Sequence, residues 1–203
     1  MNREIQYHDI FADLTTAAHR AYTRGIQTGS GGNLSARIPD QDAMIVKNSG
    51  GSFADCTETG KGWIAMEFGG GLLAGEAGKP TREWRLHGAL LQALPQVGAV
   101  VHCHSPYSIA WADQHPQIPL ATLHSGLKFG CEIPVVDVPY AVVPEEALPG
   151  IIRLFEENPN LPAFVLRGHG IVAVGKNAIA AEHAAELVEE TAQIAFLQSL
   201  LKR

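Results

Sequence analysis

Two histidines flank one cysteine in the stretch VVHCHS, which spans residues 100–105. The valines before them predict a buried strand. Alternate side chains leave the same face of a strand about 6 to 7 Å apart, so the imidazoles of His102 and His104 can both reach one cation. Cys103 must point to the opposite face, where a packing thiol is the simpler interpretation. The spacing therefore indicates either a pair of metal ligands or two polar residues on a buried strand.

A divalent metal site needs a third ligand, and catalytic sites keep a position open for water or substrate. His169 is the strongest third candidate, because it follows the apolar segment AFVL and lies between two glycines that allow a tight turn. An exposed turn histidine is the alternative. The remaining histidines that could compete lie in predicted helices or polar loops, and they are interpreted as structural or surface residues: His19, His87, His115, His124 and His183.

Glu83 is the carboxylate with the clearest chemical interest. It begins a predicted helix over residues 83–94, on the same stripe as Leu86, Leu90 and Leu94. Its side chain is therefore expected to face the interior, where a carboxylate is costly unless it is paired, neutralised or bound to a metal. A first-turn acid that complements the helix dipole would have the same position.

Two glycine-rich turns, GSGGNLS at residues 29–35 and KNSGGS at residues 47–52, precede or follow predicted strands. Neither matches the patterns that bind nucleoside triphosphates or dinucleotides. They can still present backbone N–H groups and the Asn33 amide to an anion, although both could be ordinary loops. Thr81 is the predicted N-cap of the helix at Glu83, and Arg82 adds a positive charge there.

The elements that must position these residues alternate along the chain without a long polar linker. This order predicts one α/β domain over residues 1–203, with three α/β/α layers around a central mixed, mainly antiparallel sheet. Helices are predicted over residues 9–24, 83–94, 105–114, 144–159 and 177–202. Strands are predicted in LSARI, AMIVK, GWIAMEF, VGAVVHCH and IPVVDVPY, and a strand pair in AFVLRGHGIVAVG.

Composition excludes several classes of function. A net charge of −6 with scattered basic residues gives no surface for a nucleic-acid backbone. No apolar run approaches the roughly 18 residues of a membrane span, and the N-terminus lacks the apolar stretch of a signal peptide. Three cysteines without CxxC spacing argue against a disulfide framework or a thiolate zinc site. We therefore expect a cytoplasmic protein that binds neither nucleic acid nor membrane.

Taken in order, the motifs resemble the class II aldolase and adducin head-domain family, whose members include fuculose-1-phosphate aldolase and ribulose-5-phosphate 4-epimerase. The resemblance runs through nearly the whole chain. It rests on the ordered segments GSGGNLSARI, KNSGG, GKPTREWRLHGAL, GAVVHCHSPYSIA, IPVVDVPY and FVLRGHGIVAVGKN.

The resemblance implies a metal site and an acid–base residue. His102, His104 and His169 match the family's metal-binding histidines, with Zn²⁺ favoured over Mn²⁺, Co²⁺ or Fe²⁺. Glu83 matches the residue that acts as acid and base in the aldolases, where the epimerases have Asp. The family also implies a homotetramer with active sites between subunits. The segments that hold a substrate phosphate in the family correspond to Gly32, Asn33, Ser49, Gly50, Thr81 and Arg82.

The implied function is metal-dependent cleavage of a ketose 1-phosphate, of the fuculose-1-phosphate type, through a metal-stabilised enediolate to dihydroxyacetone phosphate and an aldehyde. Alternatives within the family are a methylthioribulose-1-phosphate dehydratase, a sugar-phosphate epimerase or a decarboxylase. A further alternative is a non-catalytic interaction module like the adducin head.

Two departures from the family pattern concern the proton donor and the substrate. The aldolases use tyrosines after the HxH segment and near the C-terminus, but here the first segment reads LATLHSGLKFG and no tyrosine follows Tyr140. His124 and Lys128 are the first candidates to replace them. Arg82 stands where the family usually has a small hydroxyl residue, which leaves open whether the substrate is phosphorylated or carries a carboxylate.

Overall fold

The computed structural model describes residues 7–73 and 75–201, and one sheet of eight strands runs through them. The strands are β1 (Asn33–Arg37), β2 (Ala43–Lys47), β3 (Trp63–Glu67), β4 (Ala99–Cys103), β5 (Gln117–Ile118), β6 (Ile133–Val136), β7 (Ala163–Leu166) and β8 (Gly170–Gly175). The helices are α1 (His8–Thr23), α2 (Trp84–Ala93), α3 (Pro106–Gln114), α4 (Leu123–Phe129), α5 (Leu148–Glu157) and α6 (Ala178–Leu201).

The strand order in the sheet is β3-β2-β1-β4-β8-β7-β6-β5. Every neighbouring pair is antiparallel except β6 and β7, which are parallel. The predicted mixed, mainly antiparallel sheet is thus confirmed. Strand β4 lies at the centre, and its register places His102 opposite Asn33 of β1 and Val172 of β8.

Helices cover both faces of this sheet. On one face, α6 packs along β4 and β8, with α1 and α3 beside it. On the other, α2 packs against β2 and β4 and is itself contacted by α5. Strands β2, β4 and β7 are buried at every residue, as strands covered on both faces must be. The predicted three-layer α/β/α arrangement is confirmed. Within the described part of the chain, no helix combines the length and the apolarity needed to cross a bilayer.

Several element boundaries differ from the sequence prediction. The strand predicted in IPVVDVPY ends at Val136, because Asp137 turns to Arg167, at 2.5 Å, and Pro139 has no N–H for a ladder bond. The helix predicted from residue 144 begins with a 3₁₀ turn, Glu145–Ala147, because Pro149 lacks the N–H that an α-helical first turn would use.

Strand β5, helix α4 and a short 3₁₀ turn, Phe53–Asp55, were not predicted. The predicted N-cap at Thr81 was wrong, since Glu83 occupies that position and the Thr81 hydroxyl only accepts a long bond of 3.4 Å from the Glu83 N–H. The end of the predicted last helix, at residue 202, falls outside the described residues.

Candidate active site

Three imidazoles meet where β4 and β7 end. His102 is on β4, His104 follows it, and His169 lies in the turn from β7 to β8. The ring centroids are 4.6 to 5.0 Å apart, and one ring nitrogen from each residue lies within 4.8 Å of the others. Such a cluster of nitrogens can surround a single divalent cation.

Glycines allow the backbone to approach this cluster closely. A Cβ on Gly170, at φ +152°, would lie 2.2 Å from the Cys103 carbonyl oxygen, so only glycine lets β8 begin against the end of β4. A Cβ on Gly31 would lie 2.7 Å from Nδ1 of His104. The His104 backbone N–H donates to Oε1 of the buried Gln27, at 2.9 Å. The glycine-rich turn and the Gln27 amide beside it therefore both hold His104 in place.

The histidines fit a metal ion in chemistry as well as in distance. Nδ1 of His102 lies 2.9 Å from the Ile171 carbonyl oxygen, which can only accept, so this nitrogen carries the proton and Nε2 keeps its lone pair. Nε2 of His102 and Nδ1 of His169 are buried, and neither has a hydrogen-bond partner among the described residues. Burial, reinforced by the neighbouring imidazoles, lowers the pKa of His102 well below its ordinary value. A neutral imidazole with an unpartnered lone pair is the form that binds a metal.

Cys103 lies on the other face of β4, as the alternation of the strand predicts. Burial raises the pKa of its thiol, and the nearby carboxylates of Glu182 and Glu189 on α6 raise it further. A thiol buried against α6 is directed away from the imidazoles. Its interpretation as a packing residue is consistent with this position.

Glu83 places a carboxylate beside the imidazoles. It is only 5 % exposed, and its Oε2 lies 3.5 Å from Nε2 of His102. The same oxygen accepts a hydrogen bond of 3.0 Å from Nδ2 of Asn33. The other oxygen, Oε1, is buried with no hydrogen-bond partner in the described part of the chain. Glu83 thus faces inward as predicted, with one oxygen held and one available.

A cavity of about 260 Å³ opens in front of this carboxylate. Nine of the ten residues predicted for the site line it, and His102 lies behind them, completely buried. The lining residues predicted from the sequence are Gly32, Asn33, Ser49, Gly50, Thr81, Arg82, Glu83, His104 and His169.

Lys47 also lines the cavity, and the sequence prediction missed it. It is 1 % exposed, and its ammonium donates to the carbonyl oxygens of Asn48, at 3.1 Å, and Gly51. Burial lowers its pKa, and no carboxylate among the described residues forms a salt bridge with it. The sequence feature that could have indicated a role for Lys47 is its position, as the last residue of a buried strand directly before the glycine-rich turn NSGG. The cavity therefore has a buried cation without an acidic partner.

Arg82 is the second cation at the cavity, and this residue is exposed. It forms no salt bridge within residues 7–73 and 75–201. Two unpaired cations and the N–H groups of two glycine-rich turns favour a substrate with a negatively charged group.

His124 and Lys128, considered as replacements for the family tyrosines, are not brought to this cavity within one chain. They lie on α4 and line a separate cavity of about 390 Å³ together with His183, Glu186 and Glu190 of α6. Either side chain could act at the candidate active site only from a second copy of the chain.

The comparisons with known proteins agree with this architecture. The sequence profile described as Class II Aldolase and Adducin N-terminal domain matches residues 12–196. The chain belongs to this family.

Relatives within the class II aldolase and adducin family carry more than one activity in their names. L-ribulose-5-phosphate 4-epimerase UlaF of Salmonella typhi is 32 % identical over 188 residues, which cover 85 % of this chain and 78 % of the relative. A solved structure of YgbL from Klebsiella pneumoniae, described as a putative aldolase/epimerase/decarboxylase, is 26 % identical with a TM-score of 0.79, covering 93 % of this chain and 89 % of that one. L-fuculose-1-phosphate aldolase from Thermus thermophilus shares the fold, with a TM-score of 0.81 at 22 % identity over 95 % of both chains.

Proposed function

We propose that the protein is a divalent metal-dependent lyase that cleaves a carbon–carbon bond of a ketose phosphate, of the fuculose-1-phosphate type, to dihydroxyacetone phosphate and an aldehyde. The observation that carries this proposal is the free Oε1 of Glu83 beside three imidazoles, two of which have buried, unpartnered nitrogens. Glu83 is a proton-transfer group beside a metal site, and it lines a cavity that also contains two cations. This combination suits the cleavage of a sugar that carries a negatively charged group.

His102, His104 and His169 would hold the cation, for which zinc is our first choice. When bound, a divalent cation supplies the positive charge that stabilises negative charge developing on a substrate oxygen. The Ile171 carbonyl fixes the His102 tautomer, and Gln27 holds the backbone of His104, so this chain orients its ligands before a cation arrives.

Glu83 would move the proton at the reacting carbon or hydroxyl. Its Oε2 is held by the Asn33 amide, whereas Oε1 is free to accept or return a proton. Gly32 and Gly50 line the same cavity, where their backbone N–H groups would bind the phosphate together with Lys47 and Arg82. Ser49 would contribute its hydroxyl, because its backbone N–H already donates to the Lys79 carbonyl oxygen, at 2.8 Å.

Epimerisation is the second candidate, favoured by the 32 % identity to L-ribulose-5-phosphate 4-epimerase. An epimerase that breaks and remakes a carbon–carbon bond needs the same proton transfers but does not release the aldehyde. The glutamate at position 83, where the resemblance assigns aspartate to epimerases, favours the lyase. Dehydration, decarboxylation and a non-catalytic adducin-like role remain outcomes of the test.

We also propose a cytoplasmic homotetramer with active sites between subunits. Leu123 and Leu127 of α4 are 96 % and 82 % exposed, and they are neighbours on one side of that helix. Two such leucines beside His124 and Lys128 suit burial against another copy, which would bring these polar side chains toward a neighbouring cavity.

The test is a product screen with zinc-loaded protein. Ketose 1-phosphates, L-ribulose 5-phosphate and carboxylated sugar phosphates would be incubated with enzyme, and products followed by NMR and by coupled detection of dihydroxyacetone phosphate. Metal-dependent release of dihydroxyacetone phosphate is the expected result. Conversion of L-ribulose 5-phosphate without release of a three-carbon product would instead assign the epimerase. A protein with neither stoichiometric metal nor any product would contradict the proposal and favour the interaction module.

A further inference from the structure

A chain of buried side chains leads from helix α2 to the proposed acid–base residue. Oγ of Ser35 lies 2.7 Å from Nδ1 of His87, and Nε2 of His87 is hydrogen-bonded to Oδ1 of Asn33. Asn33 then donates from Nδ2 to Oε2 of Glu83, at 3.0 Å. Ser35 and His87 are completely buried and do not line the cavity. Their hydrogen-bonded connection to the cavity runs through Asn33 to Glu83.

The hydrogen bonds that join Ser35, His87, Asn33 and Glu83 have one consistent donor-to-acceptor direction when Glu83 is ionised. A carboxylate can only accept, so the Asn33 amide must turn its NH₂ group toward Glu83 and its oxygen toward His87. His87 must then donate from Nε2, which leaves Nδ1 to accept from the Ser35 hydroxyl. Burial lowers the pKa of His87 to about 3, and a neutral imidazole has the one N–H and one lone pair that this arrangement needs.

The amide of an asparagine can rotate so that its oxygen and nitrogen exchange places. If the Asn33 oxygen turned to Glu83, it would face a carboxylate oxygen across 3.0 Å, and the two would repel each other. The Nε2–H of His87 opposes that rotation, because it needs an acceptor in a site without water-exposed alternatives. The orientation of Asn33, and with it the position of Glu83, thus depends on His87, which lies four positions after Glu83 in the sequence.

We propose that His87 is a positioning residue, which orients the Asn33 amide and so holds Glu83 for proton transfer; this rests on the proposed function of Glu83. Ser35 supports it by fixing the imidazole tautomer. The sequence spacing is consistent with this hydrogen-bonded series of side chains. Glu83 and His87 are one helical turn apart, and Asn33 and Ser35 share a face of β1.

The decisive variants are His87→Leu, which removes both hydrogen bonds, and His87→Gln, which returns an N–H donor near the position of Nε2. Leu90→Val, three residues along the same helix and outside the hydrogen-bonded chain, is the matched control for a packing change. A misplacement of about 1 Å can cost about 100-fold in rate. We expect His87→Leu to lower kcat 10- to 100-fold with KM and zinc affinity within about threefold of wild type, and His87→Gln to recover most of the loss. Leu90→Val should retain wild-type kcat.

Crystal structures of wild type and His87→Leu provide a readout that does not depend on activity. We expect the contact between Asn33 Nδ2 and Glu83 Oε2 to be lost in the variant; retention of the 3.0 Å contact would overturn the proposal even in a protein inactive on every sugar screened. Equal kcat in His87→Leu and Leu90→Val would also overturn it. If His87→Leu does not fold, Ser35→Ala replaces it, with a 3- to 10-fold lower kcat expected and a wild-type kcat as the contrary result.

Discussion

Replacement of Gly31 by alanine tests the metal site through its geometry. The added Cβ would lie 2.7 Å from Nδ1 and 2.9 Å from Cε1 of His104, and 2.8 Å from Nε2 of Gln27, which holds the His104 backbone, whereas ordinary contact begins at 3.4 Å. The imidazole must therefore retreat by about 0.7 Å or rotate. Because metal–ligand distances tolerate only about 0.2 Å, this displacement should weaken the bond to His104.

We expect Gly31→Ala to lose 10- to 100-fold in zinc affinity, the range seen when the support of a ligand is removed. A factor of that size is about 1.4 to 2.7 kcal/mol. The assay is a titration of metal-free protein with Zn²⁺ against a chromophoric chelator. Gly150→Ala is the control, since nothing lies within 4 Å of a Cβ at that position in α5 and alanine is a better helix former.

Wild-type zinc affinity in Gly31→Ala would refute this reasoning. It would mean that His104 either does not bind the metal or is not positioned by the glycine-rich turn. Equal loss in Gly31→Ala and Gly150→Ala would also refute it, because only one of the two added methyl groups meets a proposed ligand.

Three other changes test separate parts of the account. Lys47→Met should raise KM for a phosphorylated substrate at least 10-fold while zinc affinity is unchanged, because it removes a buried cation from the cavity; an unchanged KM in steady-state kinetics would exclude that role. His124→Gln should lower kcat at least 10-fold, because the proposed assembly brings this imidazole of a second copy toward the cavity; full activity would leave proton donation to another group, such as Tyr140, which precedes two residues that line the cavity. His87 and His102 have folded-state pKa values below their unfolded values, so the unfolded state binds more protons as pH falls below about 6.5. The free energy of unfolding in urea should therefore be lower at pH 5.5 than at pH 7.5, and the opposite order would contradict the buried, neutral state of these rings.

Much of the site could be predicted because its signals are local. Alternation along β4 paired His102 with His104, and the helical stripe of α2 turned Glu83 inward. His169 was recognisable from glycines on both sides of it. In each case a few neighbouring residues determine the direction of the side chain.

The residues missed by the sequence prediction depend on contacts between distant segments. Lys47 appeared to end an ordinary strand, and only the folded turn over it shows a buried cation at the cavity. The sequence assigns His87 a structural or surface role, and only the packing of α2 on the sheet brings His87 and Glu83 beside Asn33.

Helix α4 was missed for a different reason. Its apolar residues Leu123 and Leu127 face outward, so they give no core-facing pattern, and its start is set by a capping box between Thr122 and Ser125. A search for helices that bury apolar residues within one chain overlooks such a segment. An apolar helix surface left exposed is consistent with the proposed assembly of several copies.

The most direct test of the central claim compares wild type with Glu83→Gln, both purified, loaded with zinc and analysed for metal content. We expect one zinc per chain in each protein, with metal-dependent carbon–carbon cleavage in the wild type and a loss of at least 100-fold in kcat in Glu83→Gln. Full activity of Glu83→Gln with its zinc retained would contradict the assignment of Glu83 as the group that moves the proton.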